Sequence, residues 1–126
     1  MAKPVLVSIV DDDESIRESL PDLVRQFGFA AQAFSSAEAF LSSESVDDTR
    51  CLILDVAMPG MNGIEATQIL CSRNSHSKII GLSVQPEAEI AQTMKDAGAV
   101  AFFNKGDDTS ALIETIKKLA FQSFPA

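Results

Sequence analysis

Apolar residues arrive along this chain in two alternating patterns. Short unbroken runs of aliphatic residues are each followed by a segment in which apolar side chains recur every three or four positions. The first run, residues 5–10, stops at three consecutive acids, Asp11, Asp12 and Asp13. Residues 14–27 then carry Ile16, Leu20, Leu23, Val24 and Phe27 at helical spacing, with Gly28 as a C-terminal cap. Pro21 lies inside that pattern, lacks a backbone donor and should bend the helix. Residues 29–34 read as a weaker strand. Ser35 and Glu38 make an S-x-x-E capping box before a short helix with Phe40 and Leu41, and the polar stretch 42–50 reads as a loop. The third strand is Cys-Leu-Ile-Leu-Asp, residues 51–55, followed by a loop at 56–63 marked by Pro59, Gly60, Asn62 and Gly63. Residues 64–71 are helical and 78–83 form the fourth strand. Residues 86–97 form the fourth helix, with Pro86 in its first turn, Ile90, Ala91, Met94 and Ala97 inward, and Gly98 beyond it. Residues 100–103 make the fifth strand. Asp108, Thr109 and Ser110 are candidate caps for a last helix with Leu112, Ile116, Leu119 and Ala120 on one face.

Five strand–helix pairs in strict alternation predict an α/β fold: a five-stranded parallel sheet with helices on both faces. Strands buried on both sides need not alternate polar and apolar, and these do not. Residues 1–121 read as one domain, and 122–126 as a tail or the start of a linker. Composition changes this picture in three ways. A net charge of -8 opposes contact with nucleic-acid phosphates and suits a protein that collects a cation. No apolar stretch reaches the roughly 18 residues of a membrane span, and no leader pattern precedes Val5, so a reducing cytoplasm is the expected setting. Cys51 and Cys71 fit neither a disulfide framework nor a zinc pattern and read as small buried hydrophobes.

In an open parallel sheet, chemistry collects at the carboxyl ends of the strands. Here those ends carry Asp11, Asp12 and Asp13, then Asp55, then Ser83, with Lys105 just past the fifth strand. Carboxylates grouped this closely repel one another unless a cation lies between them. Oxygen ligands without nearby His or Cys point to a hard ion such as Mg²⁺. The plainer reading is that each acid caps the helix after its strand. That suits Asp13, which precedes Glu14, and fails for Asp55, which leads into a Pro-Gly loop. His76, the only histidine, lies in a polar loop and reads as solvated, and Met58 and Met61 read as loop packing.

The stretches Ile9-Val10-Asp11-Asp12-Asp13 and Leu54-Asp55-Val56-Ala57-Met58-Pro59-Gly60-Met61-Asn62-Gly63, the strand end at Ser83, and Ala97-Gly98-Ala99 leading to Lys105 resemble the receiver domain of bacterial response regulators. The resemblance covers nearly the whole chain, and the Asp-x-x-Met-Pro-x-Met-x-Gly loop is its most specific part. It implies the flavodoxin-like strand order 2-1-3-4-5. It implies that Asp55 is the phosphoacceptor, supplied by a histidine kinase or a histidine phosphotransfer protein. Asp12 would ligate Mg²⁺ directly, with Asp11, Asp55 and the carbonyl of Ala57 completing the protein's share. Ser83 and Lys105 would each meet a phosphoryl oxygen, and Phe102 holds the aromatic switch position, so that phosphorylation repacks the surface of helix four, strand five and helix five. A homodimer is left open. Four positions depart from the family: Ser83 for the commoner Thr, Val84 where a small residue keeps the site accessible, Gly106 for Pro, and Ala57 for a polar residue.

Three other functions compete. A phosphatase forming an aspartyl-phosphate would carry a second Asp two residues past the nucleophile, where Ala57 stands. A flavin carrier would want a Ser/Thr/Gly phosphate loop in place of Asp11–Asp13. A receiver-like domain that is never phosphorylated would lack some of the positions that are filled here.

Overall fold

The computed structural model describes residues 4–73, 77–84, 88–105 and 109–122. Strands β1 (Leu6–Val10), β2 (Ala30–Phe34), β3 (Thr49–Asp55), β4 (Lys78–Ser83) and β5 (Ala101–Asn104) form one parallel sheet in the order β2-β1-β3-β4-β5. Between them run α1 (Glu14–Gln26), α2 (Ala37–Leu41), α3 (Gly63–Ser72) and α4 (Ala88–Ala97), and α5 (Thr109–Gln122) follows β5. The expected parallel sheet with helices on both faces is therefore present, in the strand order that the family resemblance implies. None of the described helices is long and apolar enough to cross a membrane.

Strand residues alternate between two cores. Val7, Ile9, Cys51, Ile53, Ile80 and Leu82 face α1 and α5, where Leu20, Val24, Leu112 and Ile116 meet them. Val10, Leu52, Leu54 and Ile79 face the other way, against Phe40 of α2, Ala66 and Leu70 of α3 and Met94 of α4. Both faces of the central strands are apolar because both are covered, which is why no polar alternation marks them in the sequence. The order β2-β1-β3 reverses chain direction across the sheet at β1 and β3. Their carboxyl ends flank the switch point at which parallel sheets place their ligands.

Several local expectations change. α2 is capped by Ser36, whose side chain accepts the Ala39 N–H, so the Ser35–Glu38 capping box does not form. The stretch expected as loop over 42–50 contains a short 3₁₀ turn, Glu44–Val46, and β3 already begins at Thr49. Thr49 is buried because its hydroxyl bonds Ser45 O at 2.7 Å and Ser8 Oγ at 2.7 Å, so a polar residue enters the strand fully satisfied. β5 is shifted by one residue, and Val100 is left 46% exposed. α1 runs through Pro21 as one helix with the proline ring buried, whereas Phe27, expected inward, is 45% exposed beneath the Lys117 ammonium, 4.6 Å from the ring centre. Cys51 is buried as expected; Cys71 is exposed. Pro86, Gly106, Asp108 and His76 lie outside the described residues.

Candidate functional site

The site is built from strand ends. Register pairs Val10 with Leu54, so the residues that follow, Asp11 and Asp55, stand side by side at the edge of the sheet, both buried. Backbone bonds fix Asp11: its carbonyl accepts from Arg17 Nη1 at 3.0 Å, and its Oδ1 accepts the Asp13 N–H at 2.9 Å. Asp13 takes the capping role expected of it. Its Oδ1 accepts from Ser15 Oγ at 2.8 Å and Ser15 N at 3.0 Å, and these bonds hold its carboxyl below the usual carboxylate range. That leaves Asp11, Asp12 and Asp55, which each offer one carboxylate oxygen within 4.8 Å of the others.

Lys105 reaches this cluster from the end of β5, where its backbone N–H bonds Ser83 O at 2.8 Å and stitches the ends of β4 and β5 together. Its Nζ donates to Asp11 Oδ1 at 3.0 Å and lies 2.9 Å from Asp11 Oδ2 and 3.1 Å from Asp55 Oδ2. The short approach to Oδ2 is an ion pair without hydrogen-bond direction, so this buried oxygen keeps an unaddressed lone pair. Burial and the neighbouring Asp11 charge push the Asp55 carboxyl up to about 7, against the opposing pull of the Lys105 ammonium. Burial disfavours the charge on Lys105, yet its bonds to Asp11 and Asp55 outweigh that and raise its pKa. Two buried carboxylates thus share one ammonium, and the site is short of positive charge. Oxygen donors alone, an under-bonded buried carboxylate oxygen and excess negative charge fit a hard divalent cation.

The loop after β3 is tightly closed. Val56 N–H bonds Leu82 O, Gly63 N–H bonds Val56 O at 2.9 Å, and a capping box between Asn62 and Glu65 starts α3. Gly63 has to be glycine, because a Cβ there would lie 2.6 Å from the Asp55 carbonyl oxygen. Met58 is buried against the α2–α3–α4 core and Met61 packs on it, while Ala57 is exposed. At the end of β4, Ser83 is buried and Val84 is 68% exposed, so Val84 is not held by packing against α4. Phe102 pairs with Gly81 across β4 and β5, and its ring lies over that glycine beside Met94. A Cβ on Gly81 would sit 2.8 Å from the ring and 3.0 Å from the Met94 methyl.

Asp11, Asp55 and Lys105 therefore meet in one bonded group, Asp12 joins the acids, and Ser83 ends the neighbouring strand. Two contacts had no signal in the sequence pattern. Arg17 clamps the Asp11 carbonyl, and the Glu38 carboxylate accepts the Met61 N–H at 3.3 Å, 23 positions away. No second acid stands two residues past Asp55, which disfavours an aspartyl-phosphate phosphatase.

Comparison with known proteins agrees. The chain is 32% identical over 117 residues to the transcriptional regulatory protein FixJ of Azorhizobium caulinodans, covering 93% of this chain and 56% of that protein. It is 38% identical over 120 residues to the response regulator protein TmoT of Ectopseudomonas mendocina, covering 93% of this chain and 54% of that protein. The chain thus spans about half the length of these curated relatives. The crystal structure of FixJ-N superposes with a TM-score of 0.85 at 31% identity, covering 99% of both chains. Residues 7–117 match the family model of the response regulator receiver domain, whose role is phosphorylation-based signalling, and the chain belongs to that family.

Proposed function

We propose that this chain is a Mg²⁺-dependent phosphoacceptor that receives a phosphoryl group on Asp55 from a histidine kinase or a histidine phosphotransfer protein. The observation that carries the proposal is the buried Asp55 carboxylate, with oxygens of Asp11 and Asp12 within 4.8 Å and the Lys105 ammonium 3.1 Å away. Asp11, Asp12, Asp55 and the backbone carbonyl of Ala57 would hold the ion. Bound there, Mg²⁺ would offset the charge of the incoming phosphoryl group. An Asp55 oxygen forms the new bond to phosphorus while the donor's bond to it breaks and the donor departs with the electron pair. Lys105 is already beside Asp55 and would turn from the carboxylates to a phosphoryl oxygen. The Ser83 hydroxyl would bond another. Its movement would let the Phe102 ring, which lies over Gly81, repack and alter the surface of α4, β5 and α5. The domain would then act as a switch, catalysing only its own phosphoryl transfer and hydrolysis. Val84, exposed at the end of β4, would restrict access for donor and water alike, since a β-branched side chain has few rotamers to swing into.

Intact-mass measurement after treatment with acetyl phosphate and Mg²⁺ tests this. Wild type should gain one base-labile phosphoryl group, Asp55→Asn none, and Val84→Ala should gain and lose it faster than wild type. Undiminished labelling of Asp55→Asn would remove Asp55 from the role, and unchanged rates in Val84→Ala would remove the access role.

A further inference from the structure

Glu38 belongs to α2, which supplies none of the acids or the amine of the site, yet it touches the site's loop. Its Oε2 accepts the Met61 N–H at 3.3 Å. The same oxygen lies 2.8 Å from where a Cβ on Gly60 would stand, and Gly60 has a φ of +76°, a conformation open to glycine. The base of the loop is closed by Gly63 N–H to Val56 O, and Met58 is sunk into the α2–α3–α4 core. Those anchors set where the loop begins and how deep it lies. Glu38 is a side chain from another element that hydrogen-bonds the backbone of the loop tip. A glycine at that tip adds backbone freedom that an anchor must remove.

We infer that Glu38 is a positioning residue for the metal site, orienting the loop that carries the Ala57 carbonyl from the far side. This rests on the Mg²⁺ reading given above. Glu38 is not among the clustered acids; it acts by holding Met61 and Gly60, and so the peptide planes of residues 57–61. Outer-shell partners of metal ligands commonly contribute tenfold or more to affinity. Glu38 acts one step further out, and we expect roughly a tenfold loss, the lower end of that range.

The test measures Mg²⁺ affinity and melting temperature on purified wild type, Glu38→Ala, Glu38→Asp, Glu38→Gln and Asp12→Ala. It also follows amide exchange of Met61 without metal. Glu38→Gln keeps both reach and acceptor and should bind as wild type. Glu38→Asp keeps the charge and loses the reach, so it should weaken binding as Glu38→Ala does, and in both variants the Met61 amide should exchange faster. Wild-type affinity in Glu38→Ala would overturn the assignment. So would equal weakening in Glu38→Gln and Glu38→Ala with Glu38→Asp intact, because charge rather than the loop bond would then be at work. A purely structural role would lower the melting temperature and leave affinity alone. If Asp12→Ala binds Mg²⁺ as tightly as wild type, the metal site itself is misplaced, and that result is separable from any result at Glu38.

Discussion

β3 and β5 lie in the same sheet, each one strand from β4, and they are packed very differently. Every residue of β3 from Cys51 to Asp55 is buried, whereas none of the four residues of β5 is. The helices repeat the contrast: α1 buries Leu20, Pro21 and Val24, and α4 buries Met94 alone. The acids sit on β1 and β3, while Lys105 and Phe102 follow or belong to β5. The frame that holds the negative charge is therefore the rigid half of the molecule. Two of the groups that would respond to new charge, Lys105 and Phe102, are carried by the lightly packed half, where local opening costs least.

The comparison is broken most readily by core truncation. Ile53→Ala on β3 should cost about 2–5 kcal/mol in urea unfolding, and Phe102→Ala on β5 less than half as much despite its larger ring. Equal losses would show that β5 is as firmly held as β3. Gly81→Ala probes the seam between the halves. The added methyl must displace the Phe102 ring or the Met94 methyl, which should cost about 1–3 kcal/mol and turn Phe102 outward. An unshifted Phe102 ring resonance would count against the inward packing described for it.

A third test is a pH slope that originates at the acids of β1 and β3. The folded Asp55 carboxyl keeps its proton up to about 7, whereas its ordinary value is 3.8. Between these values folding takes up a proton, so metal-free stability falls as pH rises through this window. Asp55→Asn removes that loss. Its melting temperature should exceed that of wild type increasingly from pH 4 to pH 7, and Mg²⁺ should reduce the difference. A gap that stays constant with pH would place the charge strain elsewhere.

Much of this was legible in the chain. The carboxyl ends of four strands gave Asp11, Asp55, Ser83 and, past β5, Lys105, because apolar runs terminate where the sheet does. The capping box was misplaced by one because Ser35 and Ser36 compete for the cap and only geometry separates them. Thr49 and Arg50 were missed as strand because their polar side chains carry no periodic signal, and Thr49 is buried only through partners at Ser8 and Ser45. Arg17 and Glu38 bond backbone groups, which leave no trace in residue type at the receiving position.

The hydroxyl pair of Ser8 and Thr49 has a consequence at the opposite end of the sheet. β1 meets β3 with a register shift between Leu6 and Val7, where Leu6 pairs with Thr49 and Val7 with Cys51. A slip of one residue would send alternate side chains to the wrong face and carry Asp11 away from Asp55. The buried bond between Ser8 and Thr49, 2.7 Å long, works as an alignment pin for the two strands. It sits at the amino end of β3, away from the acids of the site, yet it gauges the spacing of the carboxylates, so a Thr49→Val variant is one in which the site could lose its geometry with every one of its own residues intact.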